Sequence, residues 1–88
     1  MFEWDEEKRL VNLEKHGLDF IDAQLLFDGR KTITAQSDYP VEARFLTIAI
    51  FDGRFHTVVW TWRGGTRRLI SFRRARHGEE RAYRQVHG

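Results

Sequence analysis

Residues 44–73 read RFLTIAIF, DG, RFHTVVWTWR, GG and TRRLISFR in succession. Three runs rich in β-branched and aromatic residues, 44–51, 55–62 and 67–73, alternate with two pairs of turn residues. Side chains of this kind favour extended backbone, and Asp-Gly is the strongest short-range signal for a two-residue hairpin turn. The stretch therefore predicts three consecutive antiparallel strands.

The segments on either side of this stretch predict helices and two short strands. Asp5 is a suitable N-cap for a helix from Lys8 through Lys15, and Gly17 is suited to end it. The full set of expected elements is strand 1–4, helix 8–15, helix 19–27, strand 32–34, the three strands above and helix 79–86. We therefore expect an α+β fold in the order β-α-α-β-β-β-β-α, with a mainly antiparallel sheet and helices packed on one face.

Length and composition limit the class of protein. A chain of 88 residues supports one core, so residues 1–88 are expected to form a single domain. Cysteine is absent, which excludes disulfides and thiolate metal sites. The first seven residues are acidic rather than basic, and no apolar run approaches the roughly 20 residues that span a bilayer. These features predict a cytoplasmic protein that does not associate with a membrane.

The charge of the chain is unevenly distributed. Residues 1–42 contain ten acidic and five basic side chains, whereas residues 43–88 contain three acidic side chains and ten basic ones, all arginine. A guanidinium group presents a rigid fork of donors that matches phosphate oxygens and stacks on bases. The second half is therefore expected to recognise phosphate, although an arginine-rich solvated surface would have the same composition.

Strict alternation along the last strand would place Arg67, Leu69, Ser71 and Arg73 on one face and Arg68, Ile70, Phe72 and Arg74 on the other. If helices cover one face, the other would present arginines beside aromatic rings, a combination that binds single-stranded RNA. In the alternative interpretation, the arginines near the strand ends, Arg67, Arg68 and Arg76, simply extend into solvent.

The first predicted helix carries a polar stripe of Lys8, Asn12 and Lys15, which is typical of a solvated helix face. His16 follows it and is either a catalytic group or a side chain stabilising the helix C-terminus. The four histidines lack metal-ligand spacing, so we expect no metal and no cofactor. RNA cleavage would still be available, because the 2′-hydroxyl of RNA is its own nucleophile and requires only proton transfer and stabilisation of the phosphorane.

A set of residues spread along nearly the whole chain resembles the BrnT family of toxins from type II toxin–antitoxin systems. The specific part is the N-terminal block, and the remainder consists of single residues in the arginine-rich half. The matching positions are Phe2-Glu3-Trp4-Asp5, Lys8, Asn12, Lys15-His16-Gly17, Phe20, Ala23, Phe27-Asp28, Glu42, Arg44, Gly53-Arg54, Thr61, Arg63-Gly64, Ile70-Ser71, Arg73, Ala75, Glu79 and Ala82-Tyr83.

The chain departs from the family pattern at three places. Phe72 stands where a small residue is usual, and Trp60 is bulkier than usual, which predicts altered packing behind Arg73. Arg76-His77-Gly78 replaces a Ser or Thr cap, which bears on where the last helix begins and where Tyr83 lies.

The resemblance implies a RelE-like ribonuclease fold and an endoribonuclease that inhibits translation by cleaving RNA. Together with the lack of a metal-site pattern, it predicts a metal-independent endoribonuclease. It also implies neutralisation by a BrnA-like antitoxin with a DNA-binding domain, so that operator DNA is bound only through the complex. Five residues become candidates for catalysis: Lys8, His16, Arg63, Arg73 and Tyr83. Three more are candidates for RNA binding: Arg54, Arg67 and Arg74.

In this interpretation Arg63 and Arg73 stabilise the phosphate and its transition state, and Lys8, His16 or Tyr83 transfers protons. A groove would then join the two halves of the chain, with Lys8 and His16 facing Arg63 and Arg73. Two other functions are compatible with the sequence. One is a catalytically inactive antitoxin-binding co-repressor, and the other is a plain RNA-binding domain.

Overall fold

The three central runs of the sequence form adjacent strands of a five-stranded sheet in the computed structural model, which describes residues 1–88. The predicted α+β class and the order of elements are confirmed. The elements are β1 (Phe2–Glu3), α1 (Glu6–His16), α2 (Phe20–Ala23) with a 3₁₀ segment (Gln24–Phe27), β2 (Ile33–Ser37), β3 (Arg44–Phe51), β4 (Arg54–Arg63), β5 (Thr66–Arg74) and α3 (His77–His87).

The strands lie in the order β1-β5-β4-β3-β2. The β2–β3, β3–β4 and β4–β5 pairs are antiparallel, and only the short β1 runs parallel to its neighbour β5. The turn between β3 and β4 consists of Asp52 and Gly53, with φ of 53° and 74°, because a two-residue hairpin turn of this type requires left-handed backbone. The mainly antiparallel sheet predicted from the sequence is therefore present.

A bulge in β5 interrupts the strict alternation of side chains that we expected for this strand. Val59 pairs with Ser71 and Trp60 pairs with Leu69, so Ile70 is an extra residue in β5. Beyond such a bulge the side chains change faces. Leu69 and Phe72 consequently enter the same core, and Arg73 lies on the face opposite to Arg67.

The helices divide between the two faces of the sheet, which differs from the expected packing on one face. We call the face covered by α1, α2 and the 3₁₀ segment the inner face. It forms the core, in which Phe20 and Leu26 are fully buried with Val58, Leu69 and Phe72. The apolar side of α3 covers the outer face instead, where Tyr83 packs edge-on against Phe55 with ring centres 5.1 Å apart.

Side chains close the N-termini of all three helices. Asp5 and Asp19 accept hydrogen bonds from the N–H groups of Glu7 and Ile21, at 3.0 and 3.1 Å. In α3 the Glu79 carboxylate accepts from the Arg76 N–H at 2.8 Å, which replaces the missing Ser or Thr cap and fixes the helix start at His77. None of the helices combines the length and the hydrophobicity needed to span a membrane.

Candidate active site

Asn12 connects α1 to the exposed edge of β5. Since β1 pairs with β5 only at Arg67 and Arg68, the edge of β5 has no neighbouring strand at Phe72. The Asn12 amide takes that place: Nδ2 donates to the Phe72 carbonyl at 2.8 Å, and Oδ1 accepts from the Phe72 N–H at 3.1 Å. Nδ2 also donates to the Leu18 carbonyl at 3.0 Å. One side chain thus fixes the position of α1 against β5 and the turn that follows α1.

This contact changes the interpretation of the polar stripe on α1. Lys8 and Lys15 are exposed as expected, whereas Asn12 between them is only 7% exposed. A small amide surrounded by two lysines gives no hydropathy signal for burial, so periodicity alone did not distinguish it from its neighbours. Asn12 thus faces the sheet, whereas the two lysines are exposed and make no ion pair, which leaves them available to contact a ligand.

The α1 cleft, of about 340 Å³, lies between α1 and β5. Lys8, Lys15 and His16 contribute its cations and its imidazole, and Asp5 and Glu7 lie at its N-terminal end. The remaining lining residues are Val11, Asn12, Ile70 and Ser71. The predicted catalytic residues Lys8 and His16 therefore line one cleft, separated by about 12 Å along the helix.

A second space, of about 320 Å³, lies beside the turn between β3 and β4, and we call it the hairpin cleft. Arg54 and Arg74, both predicted to bind RNA, line it together with His16, His56 and Asp52. Leu18 and Phe51 complete the lining. His16 is thus the residue shared by the α1 cleft and the hairpin cleft.

The surroundings of His16 keep its imidazole neutral. Partial burial lowers the pKa of His16 below its usual 6.5, and the nearby positive charges of Lys15 and Arg73 lower it further. The helix C-terminus is capped by the backbone instead, since the Gly17 N–H donates to the Leu13 carbonyl at 2.8 Å. A neutral imidazole among cations can accept a proton at neutral pH, as a general base requires.

His56 is a residue of the hairpin cleft that the sequence reasoning missed. It is buried, its Nδ1 lies 2.9 Å from the Arg54 carbonyl, and its ring contacts Phe51 and Phe72. Burial lowers the pKa of His56, and Arg74 contributes in the same direction. The hairpin places His56 near the end of β5, but its pairing with Arg74 depends on the bulge at Ile70, so no signal for it was present in the sequence.

The predicted catalytic Arg73 is bound to Glu79 on the outer face. Its two terminal nitrogens donate to the two Glu79 oxygens at 2.8 Å, and Thr57 donates to Oε1 of the same carboxylate at 2.9 Å. Burial alone would raise the pKa of Glu79, but the hydrogen bonds from Arg73, the Arg76 N–H and Thr57 outweigh it and hold that pKa at about 2. Arg73 therefore lines neither cleft, and its positive charge is the smallest of the three causes that lower the pKa of His16.

Arg63 and Tyr83, the other predicted catalytic residues, do not line either cleft. Arg63 pairs with Thr66 at the opposite end of the β4–β5 hairpin from Arg73, and its guanidinium lies 3.6 Å from Glu42. Tyr83 is buried beneath α3, between Phe55 and His87. The structure therefore does not bring Lys8 and His16 together with Arg63 in one groove.

Arg67, predicted to bind RNA, also lies away from both clefts. Its guanidinium stacks on Phe27, Trp60 and Trp62 on the inner face, near the opposite end of β5 from Arg74. The bulky Trp60 is accommodated because its indole donates to the Thr47 hydroxyl at 2.8 Å and its ring stacks on Phe45. Phe72, the other departure, is fully buried between Phe51 and His56.

The charge of the clefts determines what they can bind. The largest cavity, about 490 Å³ within the loop 36–43, contains two carboxylates and no cation, which is unfavourable for a phosphate. The α1 and hairpin clefts also contain carboxylates, Asp5 and Glu7 in the first and Asp52 in the second, but the cations Lys15, Arg54 and Arg74 lie at the end that contains the His16 imidazole. No group of three or more histidine or carboxylate side chains is placed to hold a metal ion. The arrangement is suited to binding a polyanion and to removing a proton from it.

Comparison with known proteins identifies a family to which the chain belongs. A family model described as "Ribonuclease toxin, BrnT, of type II toxin-antitoxin system" matches residues 4–79, most of the chain. The matched segment includes α1 with Lys8 and His16, the hairpin with Arg54, and Arg74 in β5. No curated protein matches the chain at a significant level.

Proposed function

We propose that this chain, which belongs to the BrnT family of ribonuclease toxins from type II toxin–antitoxin systems, cleaves RNA where the α1 cleft and the hairpin cleft meet. The observation that carries the proposal is the position of His16. It lines both clefts and is held neutral beside the cations that would bind phosphate.

In the proposed reaction the neutral His16 imidazole takes the proton of a ribose 2′-hydroxyl. The 2′-oxygen then attacks the adjacent phosphorus, and the bond from phosphorus to the 5′-oxygen breaks, leaving a 2′,3′-cyclic phosphate. Arg54 and Arg74 stabilise the charge that develops on the non-bridging oxygens. The leaving 5′-oxygen takes up a proton, and the cleft offers the His16 imidazolium and the Lys15 ammonium as its donors.

The remaining predicted residues receive other roles. Lys8 is too far along α1 to act on the same phosphate as His16, so we assign it to a neighbouring phosphate of the RNA. Arg73 tunes the pKa of His16 and ties β5 to α3 through Glu79. Tyr83 packs α3 onto the sheet, and Arg63 lies outside the proposed centre.

A metal-independent reaction is consistent with the surroundings of His16, because Lys15, Arg54 and Arg74 outnumber the carboxylate of Asp52 there and disfavour a divalent metal ion. For the wider role we propose what the resemblance to the family implies. Cleavage would inhibit translation in the cytoplasm, a BrnA-like antitoxin would neutralise the chain, and the complex would repress its operon through the DNA-binding domain of the antitoxin.

The test compares cleavage of RNA in EDTA by wild-type protein and by His16→Ala, Arg74→Gln, Arg63→Ala and Arg81→Gln. Arg81 is exposed on α3 and serves as a matched control. We expect His16→Ala and Arg74→Gln to lower the rate by at least about 100-fold, in the range for a general base or a charge-stabilising donor. Arg63→Ala and Arg81→Gln should retain activity.

Expression without antitoxin gives the matching test in cells. His16→Ala and Arg74→Gln should relieve growth arrest, whereas Arg63→Ala should not. Growth arrest that persists in both cleft variants would contradict the site, whereas wild-type protein that causes no growth arrest would favour a co-repressor without catalysis. RNA that is bound but left intact, with or without ribosomes, would indicate an RNA-binding domain, and cleavage only with magnesium would refute the metal-independent mechanism.

A further inference from the structure

The guanidinium of Arg67 is enclosed by three aromatic rings on the inner face of the sheet. Its central carbon lies 4.5 Å from the ring centre of Phe27, 4.7 Å from that of Trp60 and 4.8 Å from that of Trp62. Stacking on aromatic rings stabilises the positive charge but provides no hydrogen-bond acceptor. The enclosure therefore fixes the orientation of the guanidinium and leaves its donors unused.

The donors of Arg67 find no acceptor within the chain. Its Nε is buried and has no hydrogen-bond partner. Nearby arginines behave differently, since Arg68 pairs with Glu3 at 2.7 Å and Arg63 lies near Glu42. A partly desolvated guanidinium without an acceptor is unfavourable, because burial removes water that the protein does not replace. The terminal nitrogens, which also have no partner in the chain, remain accessible to an anion from outside.

A pocket of about 230 Å³ adjoins this guanidinium, and a second set of donors lines it. Trp60 donates its indole N–H to the Thr47 hydroxyl, which lies 2.9 Å from the Thr34 hydroxyl. Thr47 is only 1% exposed and has no other acceptor, so its own proton is directed to Thr34. Thr34 is exposed and keeps its proton for a ligand.

We propose that this pocket, formed by Arg67, Thr34 and Trp60, is a second phosphate-binding subsite for RNA. Arg67 and Thr34 line the same pocket with donors to spare, and the half-exposed Trp62 beside Arg67 offers a flat ring on which a base can stack. Arg67 and Arg74 are seven residues apart on β5, about 20 Å. The phosphate bound here consequently lies several nucleotides from the one that is cleaved.

The ligand named here rests on the proposed function, but its binding can be measured without cleavage. A ten-nucleotide RNA bearing 2′-O-methyl groups cannot be cut by the proposed reaction, because its nucleophile is blocked. Its Kd is measured for wild-type protein, Arg67→Gln, Arg67→Lys, Thr34→Val and the control Arg81→Gln. The indole resonance of Trp60 reports on the pocket directly.

We expect Arg67→Gln to weaken binding by about 10-fold or more, as for a lost hydrogen bond between charged groups, and Thr34→Val by about 3-fold, as for a solvent-exposed hydrogen bond at the weak end of the usual range. Arg67→Lys retains the charge and should lie between Arg67→Gln and wild type. Loss of one phosphate contact should also reduce the dependence of log K on log salt by about 0.7 in Arg67→Gln, and Arg81→Gln should match wild type. RNA should shift the Trp60 indole resonance in wild type and in His16→Ala.

Unchanged Kd and salt dependence in Arg67→Gln and Thr34→Val would overturn the subsite. A Trp60 resonance that responds to an acidic peptide and not to RNA would overturn it as well, and would indicate a carboxylate of a protein partner. Wild-type protein that binds the methylated RNA at Arg67 but leaves unmodified RNA intact would refute the nuclease activity and leave the subsite standing.

Discussion

Replacing Asn12 with alanine should destabilise the protein severely, although Asn12 lies on a helix surface between two exposed lysines. The substitution leaves the N–H and the carbonyl of Phe72 without partners in a buried position and removes the donor to the Leu18 carbonyl. A buried polar group without a partner costs about 1–3 kcal/mol. Water from the adjoining α1 cleft can solvate part of the vacated space, so we expect a loss of about 3 kcal/mol.

For a domain of this size, a loss of that magnitude lowers Tm by about 12–24 °C. Thermal or urea unfolding followed by circular dichroism measures it. Glu14→Ala is the matched control, because Glu14 lies on the exposed surface of the same helix and makes no side-chain hydrogen bond. Its effect should stay within about 0.5 kcal/mol, the usual range for surface positions.

Asn12→Asp separates the hydrogen bonds from the shape of the side chain. It preserves the shape but directs a carboxylate at the carbonyls of Phe72 and Leu18, which raises the pKa of the new acid in the folded state. A group with a raised folded pKa contributes stability at low pH and loses it as the pH rises through that pKa. Asn12→Asp should therefore be further below wild type at pH 7 than at pH 4. A loss under about 1 kcal/mol in Asn12→Ala, or equal losses at both pH values in Asn12→Asp, would refute the reasoning.

Two further expectations follow from the groups around His16. Lys15→Gln removes a cation that lowers the pKa of His16, so the pKa of His16 should rise. The acidic limb of the pH profile of cleavage should then move to higher pH. NMR titration of the imidazole measures this pKa, and an unchanged or lower value would contradict the expectation. Glu79→Gln breaks the ion pair with Arg73. The side chain of Glu79 is only 16% exposed and that of Arg73 only 12%. The folded pKa of Glu79, about 2 against the usual 4.5, corresponds to about 3 kcal/mol at pH 7. That stability is present above about pH 4.5 and is lost toward pH 2. The difference in free energy of unfolding between wild type and Glu79→Gln, measured by chemical unfolding, should therefore shrink from pH 4.5 to pH 2. A difference that is independent of pH would contradict the assignment.

Much of the fold could be predicted because local signals and the global arrangement agree. The Asp-Gly pair lies where the backbone has positive φ, and Asp5 and Asp19 cap the helices that follow them. Such features depend on a few neighbouring residues, so the sequence expresses them directly. The element order follows from their succession along the chain.

What could not be predicted depends on contacts between distant residues. The bulge at Ile70 moves Phe72 and Arg73 to faces that strict alternation does not assign them, and nothing in the sequence of β5 marks it. The position of α3 on the outer face depends on Glu79 meeting Arg73 and Thr57. Alternation predicts only which side chains share a face, and it does not say which helix covers that face.

The candidate site was predicted only in part, because some of its residues are placed by local elements and others by distant contacts. Lys8 and His16 share a cleft because they lie on one helix, and Arg54 and Arg74 meet because β4 and β5 pair at that end. Arg63 was grouped with Arg73 by residue type alone, and the register separates them along the hairpin. Asn12 and His56 carry no charge run or motif, and their positions follow only from the packing of α1 and the pairing of β4 with β5.

The bond between Asn12 and Phe72 joins residues 60 positions apart, and His16 meets Arg74 through it. A ribosome adds about 5–20 residues per second, so about 3–12 s separate the synthesis of the two halves of the site. During that interval the growing chain contains α1 without the strand edge that anchors it. Each newly made molecule therefore passes through a period of seconds in which neither the α1 cleft nor the hairpin cleft has formed.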